Sequence, residues 1–463
     1  VQYEKFFSLL PGYIFSYWIP PKIAKLFSSL VPLGDEAPGS ANIAVGNVRV
    51  GLTTGDDFRF IRHWVEAPVK DIKNGNWQRL IKGGEFRPFE NPSFLLLDWR
   101  IEGSLLKAFD GSYFRNEKSY GRSGVICPYI SDKGIGAQPC PSNHIFSHAS
   151  RFIQLKNEDK QKYYALLALL NSNTYNSILA CLTADRKHES GILASLPIPH
   201  LDKCIENGLS REGEKIVSNL SFIQSLDETS PRFVGIVFSG DVSIINVKRT
   251  IKTKFEQVIS DVKESLSLID KKIADILDLK PNELLQFNTL AEHFRQTETS
   301  DIIGIRDSIE DNNAIASSKT IAKIFTNDLP LILLSYLFGC VLGRWNIKNA
   351  IKDDVTFEIS DPLKTPPLCP PGMLQNTKGL PAVSNDVPAD YPLRITWGGI
   401  LVDDEGHPED IEGRTREALH VIWQERAEAI EAEACQILHM RSLREYFRKP
   451  GLFFADHLKR YSK

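Results

Sequence analysis

The chain has 463 residues, of which 42% are hydrophobic, 24% are charged and 10% are aromatic, and this composition excludes a disordered, a collagen-like and a disulfide-stapled protein. The formal net charge of −3 conceals an asymmetry, because residues 1–200 contain 23 Lys and Arg against 18 Asp and Glu, whereas residues 201–463 contain 32 against 40. The basic surplus of the first part suggests a polyanionic partner there.

The cysteines and the N-terminus indicate the cellular setting. Seven cysteines are present without any Cys-x-x-Cys pair, which favours a reducing, cytoplasmic compartment. The sequence begins at Val1, has methionine only at Met373 and Met440, and opens without the pattern of a signal peptide. We therefore expect a cytoplasmic segment of a longer protein, with no membrane contact.

Short strands and one helical stretch are predicted for residues 1–205. This part is rich in aromatic residues, and its apolar runs, such as Val48–Leu52 and Phe94–Trp99, lie between Gly and Pro residues, as is typical of strands. Residues 158–182 have apolar side chains at helical spacing, and the prolines of Gly191–His200 end the domain. We predict an α+β fold that begins with a mixed, β-rich domain.

The rest of the chain is predicted to be helical. Residues 206–359 should form a helical spacer, with an amphipathic helix at 247–277 and a buried helix at Leu329–Gly343, whose apolar run is shorter than the roughly 20 residues of a membrane span. Residues 360–393 are rich in Pro and Gly, which favours a linker or an extended surface strap. A C-terminal helical unit should occupy residues 394–463.

The most distinctive motif is Gly51–Arg62, with the sequence GLTTGDDFRFIR. Its glycines permit a tight turn whose N–H groups can approach a phosphate. The side chains of Thr53, Thr54, Arg59 and Arg62 are donors suited to phosphate oxygens and base edges. A β-turn with a solvated polar edge is the alternative interpretation.

Other basic segments extend this chemistry. In Lys82–Arg87 (KGGEFR) a Gly pair lies between two cations, so Lys82 and Arg87 could enter a groove, although a solvated hairpin loop fits equally well. Arg186 and Lys187, at a predicted helix end, could contact a nucleic-acid backbone or cap helix carbonyls. The same interleaving of basic and aromatic residues adds two further candidates, Arg115 and Arg122.

Two sets of residues suggest chemistry that we do not assign. One set offers Cys and His side chains of the kind that bind zinc, but twelve residues, including prolines, lie between its cysteines, unlike the usual close pair; it comprises Cys127, Cys140, His144 and His148. The other, Asn91–Phe94 (NPSF), is similar to the tetrapeptide that holds a flipped adenine in amino-methyltransferases. In this sequence Ser93 replaces the second proline of that tetrapeptide. We predict no catalytic and no metal-binding residue in this chain.

Taken in order, several motifs resemble one family. The stretches LPGYIFSYWIP (10–20), GLTTGDDFRFIR, KGGEFRPF, LLALLNSN (166–173) and RKHESGILASLPIP resemble the target-recognition region of large single-chain DNA adenine methyltransferases. These are the type IIG restriction–modification enzymes and the related PglX methyltransferase of BREX phage-defence systems. The stretches LLSYLFGCVLGRWN (333–346), VDDEGHPEDI (402–411) and 430–463 resemble the helical spacer that follows.

The resemblance implies functions for the parts of the chain. Residues 1–205 would be a DNA target-recognition domain, with contacts carried over to Thr53, Thr54, Arg59, Arg62, Lys82 and Arg87. A Rossmann-like domain upstream of Val1 would bind S-adenosylmethionine and transfer methyl to adenine N6, so we expect no cofactor in this segment itself. The partners implied are double-stranded DNA, that upstream domain and other defence-system proteins.

We predict that the chain reads a specific duplex DNA site so that the upstream domain can flip and methylate one adenine. If so, the fold should bring segments 51–62 and 82–87 together on a basic face. The alternative is a protein-interaction scaffold whose helical part docks defence-system partners, and the acidic surplus beyond residue 200 favours partners there.

Overall fold

The structure is a computed structural model. It describes residues 10–11, 19–35, 37, 43–83, 86–91, 93–156, 159–183, 186–236, 238, 243–299, 329–351 and 363–461. Parts of the motifs and regions named above lie outside the described residues: 1–9, 12–18, 36, 38–42, 84–85, 92, 157–158, 184–185, 237, 239–242, 300–328, 352–362 and 462–463.

Described strands form two four-stranded sheets and one two-stranded sheet. The strands are β1 (Val31–Pro32), β2 (Gly46–Val50), β3 (Ile61–His63), β4 (Trp77–Ile81), β5 (Leu95–Asp98), β6 (Gly124–Pro128), β7 (Gln138–Cys140), β8 (His144–Phe146), β9 (Ser150–Leu155) and β10 (Pro197–Ile198). The sheet in the order β2-β9-β6-β7 is antiparallel throughout, whereas in the order β3-β5-β4-β8 strands β4 and β8 are parallel. Strands β1 and β10 pair antiparallel, so they join the beginning and the end of the first domain.

The two larger sheets meet through apolar side chains and backbone hydrogen bonds. The rings of Phe146 and Phe152 stack with their centroids 4.5 Å apart. The Leu52 amide donates to the Phe146 carbonyl at 3.1 Å, and the His148 amide donates to the Leu52 carbonyl at 2.8 Å. The residues that follow β2, β4, β6 and β8 therefore emerge together, where β9 begins. We call these residues, 51–56, 82–83, 129–133 and 147–149, the loop end.

Helices accompany the sheets in the first part of the chain. They are α1 (Pro21–Ser29), α2 (Asp57–Phe60), α3 (Val69–Lys73), α4 (Arg100–Lys107), α5 (Lys160–Leu170), α6 (Asn173–Leu182), α7 (Ser190–Ala194) and α8 (Leu201–Glu206). The helical spacing of residues 158–182 thus forms two helices. The chain turns at Asn171, whose amide side chain exchanges two 2.8 Å hydrogen bonds with the backbone of Ala137, and the Ser172 hydroxyl then caps α6 by accepting from the Tyr175 amide.

The remaining described helices form the second part of the molecule. They are α9 (Leu209–Ser225), α10 (Ile244–Ile276), α11 (Pro281–Thr299), α12 (Leu329–Val341), α13 (Ile411–Trp423), α14 (Ala427–Ile437), α15 (Leu443–Arg448) and α16 (Phe453–Arg460). The predicted amphipathic helix begins at Ile244 because the Ser243 hydroxyl caps it and the Glu433 carboxylate accepts from its first two amides at 3.0 Å. The predicted buried helix is α12, whose side chains are nearly all inaccessible to solvent.

A continuous apolar core connects the two parts. Helix α9 packs along α5 and α10, and buried residues from α5 through α15 belong to one cluster. The Trp64 indole N–H also donates to the Thr229 carbonyl at 2.6 Å. One apolar core therefore continues on both sides of the predicted domain boundary at residue 205.

The described part of the Pro-rich stretch lies against both parts of the molecule. The Pro367 carbonyl accepts from the buried Arg79 guanidinium at 2.9 Å, and the Gly372 amide donates to the Phe233 carbonyl at 2.7 Å. These contacts hold Pro367 and Gly372 against both parts of the molecule. The predicted α+β class with a helical C-terminal region is confirmed, and no described helix combines the length and apolarity that crossing a bilayer would require.

Candidate nucleic-acid interface

Residues 51–62 form a rigid loop followed by one helical turn and a strand. Gly51 lies so close to the Phe146 carbonyl that a Cβ atom would collide with it. The Asp56 carboxylate caps α2 by accepting from the Arg59 amide at 3.0 Å. The Thr54 hydroxyl, which is buried, donates to Asp57 Oδ1 at 2.5 Å. The threonine thus stabilises the loop from within.

An ion pair joins this loop to the second basic segment. Lys82 Nζ donates to Asp57 Oδ2, and the Lys82 carbonyl accepts from the Ser147 hydroxyl. Gly83, with φ +79°, follows where a side chain would collide with the Ala149 carbonyl. Burial raises the pKa of Asp57, but hydrogen bonds from Lys82 and Thr54 outweigh this effect and keep the pKa below its ordinary value. Segments 51–62 and 82–83 are therefore in contact at the loop end.

The two arginines of the first motif have different environments. Arg62 is half-buried, and its Nη1 donates to the carbonyls of Phe58 at 2.6 Å and Ile61 at 2.8 Å. Arg59 is exposed, and its guanidinium lies 5.0 Å from the ring centroid of Phe60 and 5.3 Å from that of Phe109. Arg62 stabilises the turn, whereas Arg59 is accessible to a ligand.

Arg115 lies beside the first motif, whereas Arg122 does not. The backbones of Thr53 and Tyr113 exchange hydrogen bonds of 2.8 and 2.9 Å, and the exposed Arg115 guanidinium lies 4.6 Å from the Tyr113 ring centroid. The exposed Arg122 follows Gly121, which bonds to His144 at the start of β8. It is therefore near the end of the sheets opposite to the loop end.

Residues 186–188 pair with the loop after β6. Ile130 and Lys187 form an antiparallel bridge, and the Ser131 amide donates to the Arg186 carbonyl at 2.9 Å. Arg186 and Lys187 are exposed, whereas His188 is buried with Nδ1 3.0 Å from the Pro128 carbonyl. The segment thus adds two cations to the loop end, and its histidine bonds to β6.

Arg87 belongs to a separate turn. It is half-buried, and its carbonyl accepts from the Glu90 amide at 3.1 Å. Two residues later, the Phe89 amide donates to the Ala137 carbonyl at 2.8 Å. This turn packs against the loop between β6 and β7, so Arg87 lies next to the first sheet.

Sequence reasoning missed the residues that support this surface. Arg151 is buried, with its guanidinium 3.9 Å from the Tyr129 ring centroid and 3.7 Å from Glu189, while the Tyr129 hydroxyl donates to Glu189 at 2.6 Å. This cluster holds residues 186–189 against β6 and β9. The spacing of Thr54 and Asp57 is a local signal that could have been read, but the Arg151 cluster joins residues far apart in the chain and has none.

The residues left unassigned in the sequence have structural partners. The Asn91 side chain donates to the Pro139 carbonyl at 2.8 Å and accepts from the Ser93 amide at 3.0 Å. His144 lies 3.0 Å from both the Ser93 hydroxyl and the Ser142 carbonyl, and burial lowers its pKa to about 3. Burial also raises the pKa of Cys127 to about 12. In the part of the chain that the structure describes, no group of three His, Cys, Asp or Glu residues could hold a metal ion.

Comparisons with known proteins identify related sequences. No family model matches the chain. The chain is 22% identical over 484 aligned residues, 99% of its length, to the adenine-specific methyltransferase BrxX of Escherichia coli O9:H4 (strain HS). It is also 22% identical over 360 residues, 74% of its length, to the adenine-specific methyltransferase PglX of Lacticaseibacillus casei (strain Zhang).

A solved structure shows a weaker likeness. The type IIL restriction–modification enzyme MmeI in complex with DNA aligns with a TM-score of 0.35 and 14% identity over 55% of this chain and 36% of that one, which is too low to support a functional assignment. The chain spans only 36% of the length of BrxX and 27% of that of PglX. The two sequence relatives confirm that this chain resembles the PglX-like adenine-specific methyltransferases.

Proposed function

We propose that this chain is the DNA-reading segment of a site-specific adenine-N6 methyltransferase of bacterial phage defence or restriction–modification. The observation that carries the proposal is the gathering of exposed cations around the loop end, on a backbone held by internal ion pairs. Arg59 and Arg115 lie on one flank of the loop end, and Arg186 and Lys187 lie on the other. Such a rigid, basic surface suits a duplex, whose charge density is high.

The side chains divide into two proposed roles. Lys82, Arg62 and Thr54 hold the loop through their bonds to Asp57 and to backbone carbonyls. Other cations would contact the DNA, with the exposed Arg59 or the half-buried Arg87 reading a base edge, because the planar guanidinium pairs with both O6 and N7 of guanine. The phosphate contacts that position the duplex would come from Thr53, Arg115, Arg186 and Lys187. Lys82, whose side chain is 40% exposed, would add one such contact beside its bond to Asp57. Arg122 lies near the opposite end of the sheets and is left out of this surface.

Methyl transfer belongs to the parent protein in this proposal. S-adenosylmethionine would be bound by a methyltransferase domain upstream of this segment, in a cytoplasmic protein. The stretch most similar to an adenine-holding motif does not suit that role here, since the Asn91 amide is 6% exposed and engaged with Pro139 and Ser93. The proposal therefore assigns to this chain the selection of the site and not the chemistry.

The test is the salt dependence of duplex binding by the full-length protein. A protein that neutralises several phosphates should lose affinity linearly in log salt, with a slope of about −0.9 per phosphate. Competition with duplexes that carry or lack a site mapped by methylome sequencing then measures discrimination. Affinity that does not change with salt would reject DNA reading.

A scaffold role is the second candidate, favoured by the acidic surplus of residues 201–463. Such a scaffold would bind other defence proteins through its helical part and leave duplex DNA unbound. The salt titration separates the two proposals when it is repeated with Arg59→Ala, because only DNA reading by this chain predicts that the variant of the full-length protein binds the duplex less tightly.

A further inference from the structure

Phe58 is the most exposed large apolar side chain among the described residues. Its side chain is 86% exposed, whereas Phe60, two residues later on the same helical turn, is 1% exposed. The alternation assigns Phe60 to the core under the β3-β5-β4-β8 sheet and directs Phe58 into solvent. A single exposed apolar residue is ordinary, so its surroundings decide whether it has a role.

The backbone that carries Phe58 is held from several sides. Arg62 Nη1 donates to the Phe58 carbonyl at 2.6 Å, Asp56 caps the turn, and Asp57 accepts from Thr54 and Lys82. Polar side chains thus fix the backbone that carries this exposed ring. A ring presented in this way loses little further conformational entropy when it binds a ligand.

A second aromatic residue and one cation lie on the adjoining loop. Tyr113, whose side chain is 58% exposed, pairs through its backbone with Thr53, and Arg115 lies over its ring. On the other side, Arg59 directly follows Phe58 and is exposed. The surface therefore alternates aromatic rings with guanidinium groups, which complements stacked bases bordered by phosphates.

We propose that Phe58 enters the base stack of the bound duplex at one base step, with Arg59 and Arg115 on the flanking backbone. Proteins that insert an apolar wedge in this way unstack the step and kink the duplex by about 20–90°. This inference rests on the proposed DNA-reading function. It adds that the DNA is bent and that deformability at one step contributes to specificity.

The test uses the full-length protein and a duplex that carries its methylated site, with 2-aminopurine substituted at one position at a time. The wild type should raise 2-aminopurine fluorescence at the step that Phe58 enters, and energy transfer between dyes at the duplex ends should report a bend. Phe58→Ala should abolish both signals. It should also weaken binding roughly 5- to 150-fold, which corresponds to about 1–3 kcal/mol of stacking.

Matched variants distinguish insertion from other effects. Phe58→Trp should keep the fluorescence signal, and Ile400→Ala, which truncates an exposed (71%) apolar residue in the C-terminal unit, should behave as the wild type. Binding by the wild type without unstacking, or equal unstacking by Phe58→Ala, would overturn the wedge and leave DNA reading intact. A Phe58→Ala variant that lowers only the melting temperature would instead assign Phe58 to a protein contact. If the wild type does not bind the duplex at all, both proposals fail.

Discussion

Removing Lys82 tests whether a residue that stabilises the loop also contacts DNA. Lys82→Ala should weaken binding to all duplexes alike, because a phosphate contact carries no sequence information. One such contact contributes about 0.9 to the slope of log affinity against log salt. Raising salt from about 50 to 200 mM should therefore weaken the variant roughly 3.5-fold less than the wild type.

The fold should tolerate this substitution. The Lys82 and Asp57 side chains are 40% and 44% exposed, so solvent screens their attraction and the pair contributes only about 0.2–1 kcal/mol to stability. Asp57 also keeps its bond from the Thr54 hydroxyl. A large drop in melting temperature would show that the ion pair stabilises the loop more than this exposure allows.

The assay is an anisotropy titration of a labelled duplex with full-length protein at several salt concentrations. Asp57→Ala separates the two roles, because a phosphate contact by Lys82 should persist without its carboxylate partner. We expect Lys82→Ala to lower the slope by the same amount in both backgrounds. Lys263→Ala, which removes an exposed lysine from α10, should leave the slope unchanged. A slope that Lys82→Ala does not alter, or alters only while Asp57 is present, would refute the phosphate contact.

Four further substitutions have defined outcomes. Arg59→Ala or Arg87→Ala should cost about 1–3 kcal/mol on the native site and relax discrimination at one base pair, measured by competition among single-base variants; equal losses on all of them would mean that neither arginine reads bases. Arg444→Ala should destabilise α13–α15 by about 3–5 kcal/mol, seen as faster hydrogen exchange, since Arg444 lies 2.8 Å from the buried Asp410. Burial raises the pKa of Asp410, but hydrogen bonds from Arg444 and a backbone amide outweigh this effect and hold the pKa below its ordinary 3.8. The stabilisation by this ion pair should therefore be complete above pH 3.8 and disappear as the pH falls further. Exchange rates of Arg444→Ala equal to those of the wild type would contradict the assignment. Burial raises the pKa of Asp270 from 3.8 to about 6, so the free energy of unfolding should decline as the pH rises from 3.8 to 6. Asp270→Asn should remove this part of the pH dependence. An unchanged pH profile of the variant would exclude Asp270 as its source.

The positions of the basic loops were predictable, but the roles of their side chains were not. Glycines and cations mark Gly51–Arg62 and Lys82–Arg87 as polar turns, and the described residues 51–56, 82–83 and 86–87 lie outside helices and strands. The sequence does not indicate that Arg62 bonds to carbonyls of its own turn while Arg59 is exposed. That difference depends on β3 pairing with β5, which places Arg62 opposite Leu96, and strand pairing is a long-range contact.

The sequence by itself determined the features that depend on local periodicity. Apolar residues at three- and four-residue steps predict α10, and an unbroken apolar run predicts the buried helix α12, because a helix forms one hydrophobic face from neighbouring residues. The α+β class follows from the change between these patterns along the chain. The C-terminal helices follow in the same way.

Only the tertiary structure decided the features that require a distant partner. Asn171 divides a stretch of helical spacing because its amide bonds to the Ala137 backbone, 34 residues earlier. Lys82 forms an ion pair with Asp57, 25 residues earlier. Arg151 contacts Tyr129 and Glu189, which lie on two other segments. In each case a buried or half-buried polar group needs a hydrogen-bond partner, and the folded backbone decides which residue comes within bonding distance. The spacing of residues along the chain does not predict which residue that is.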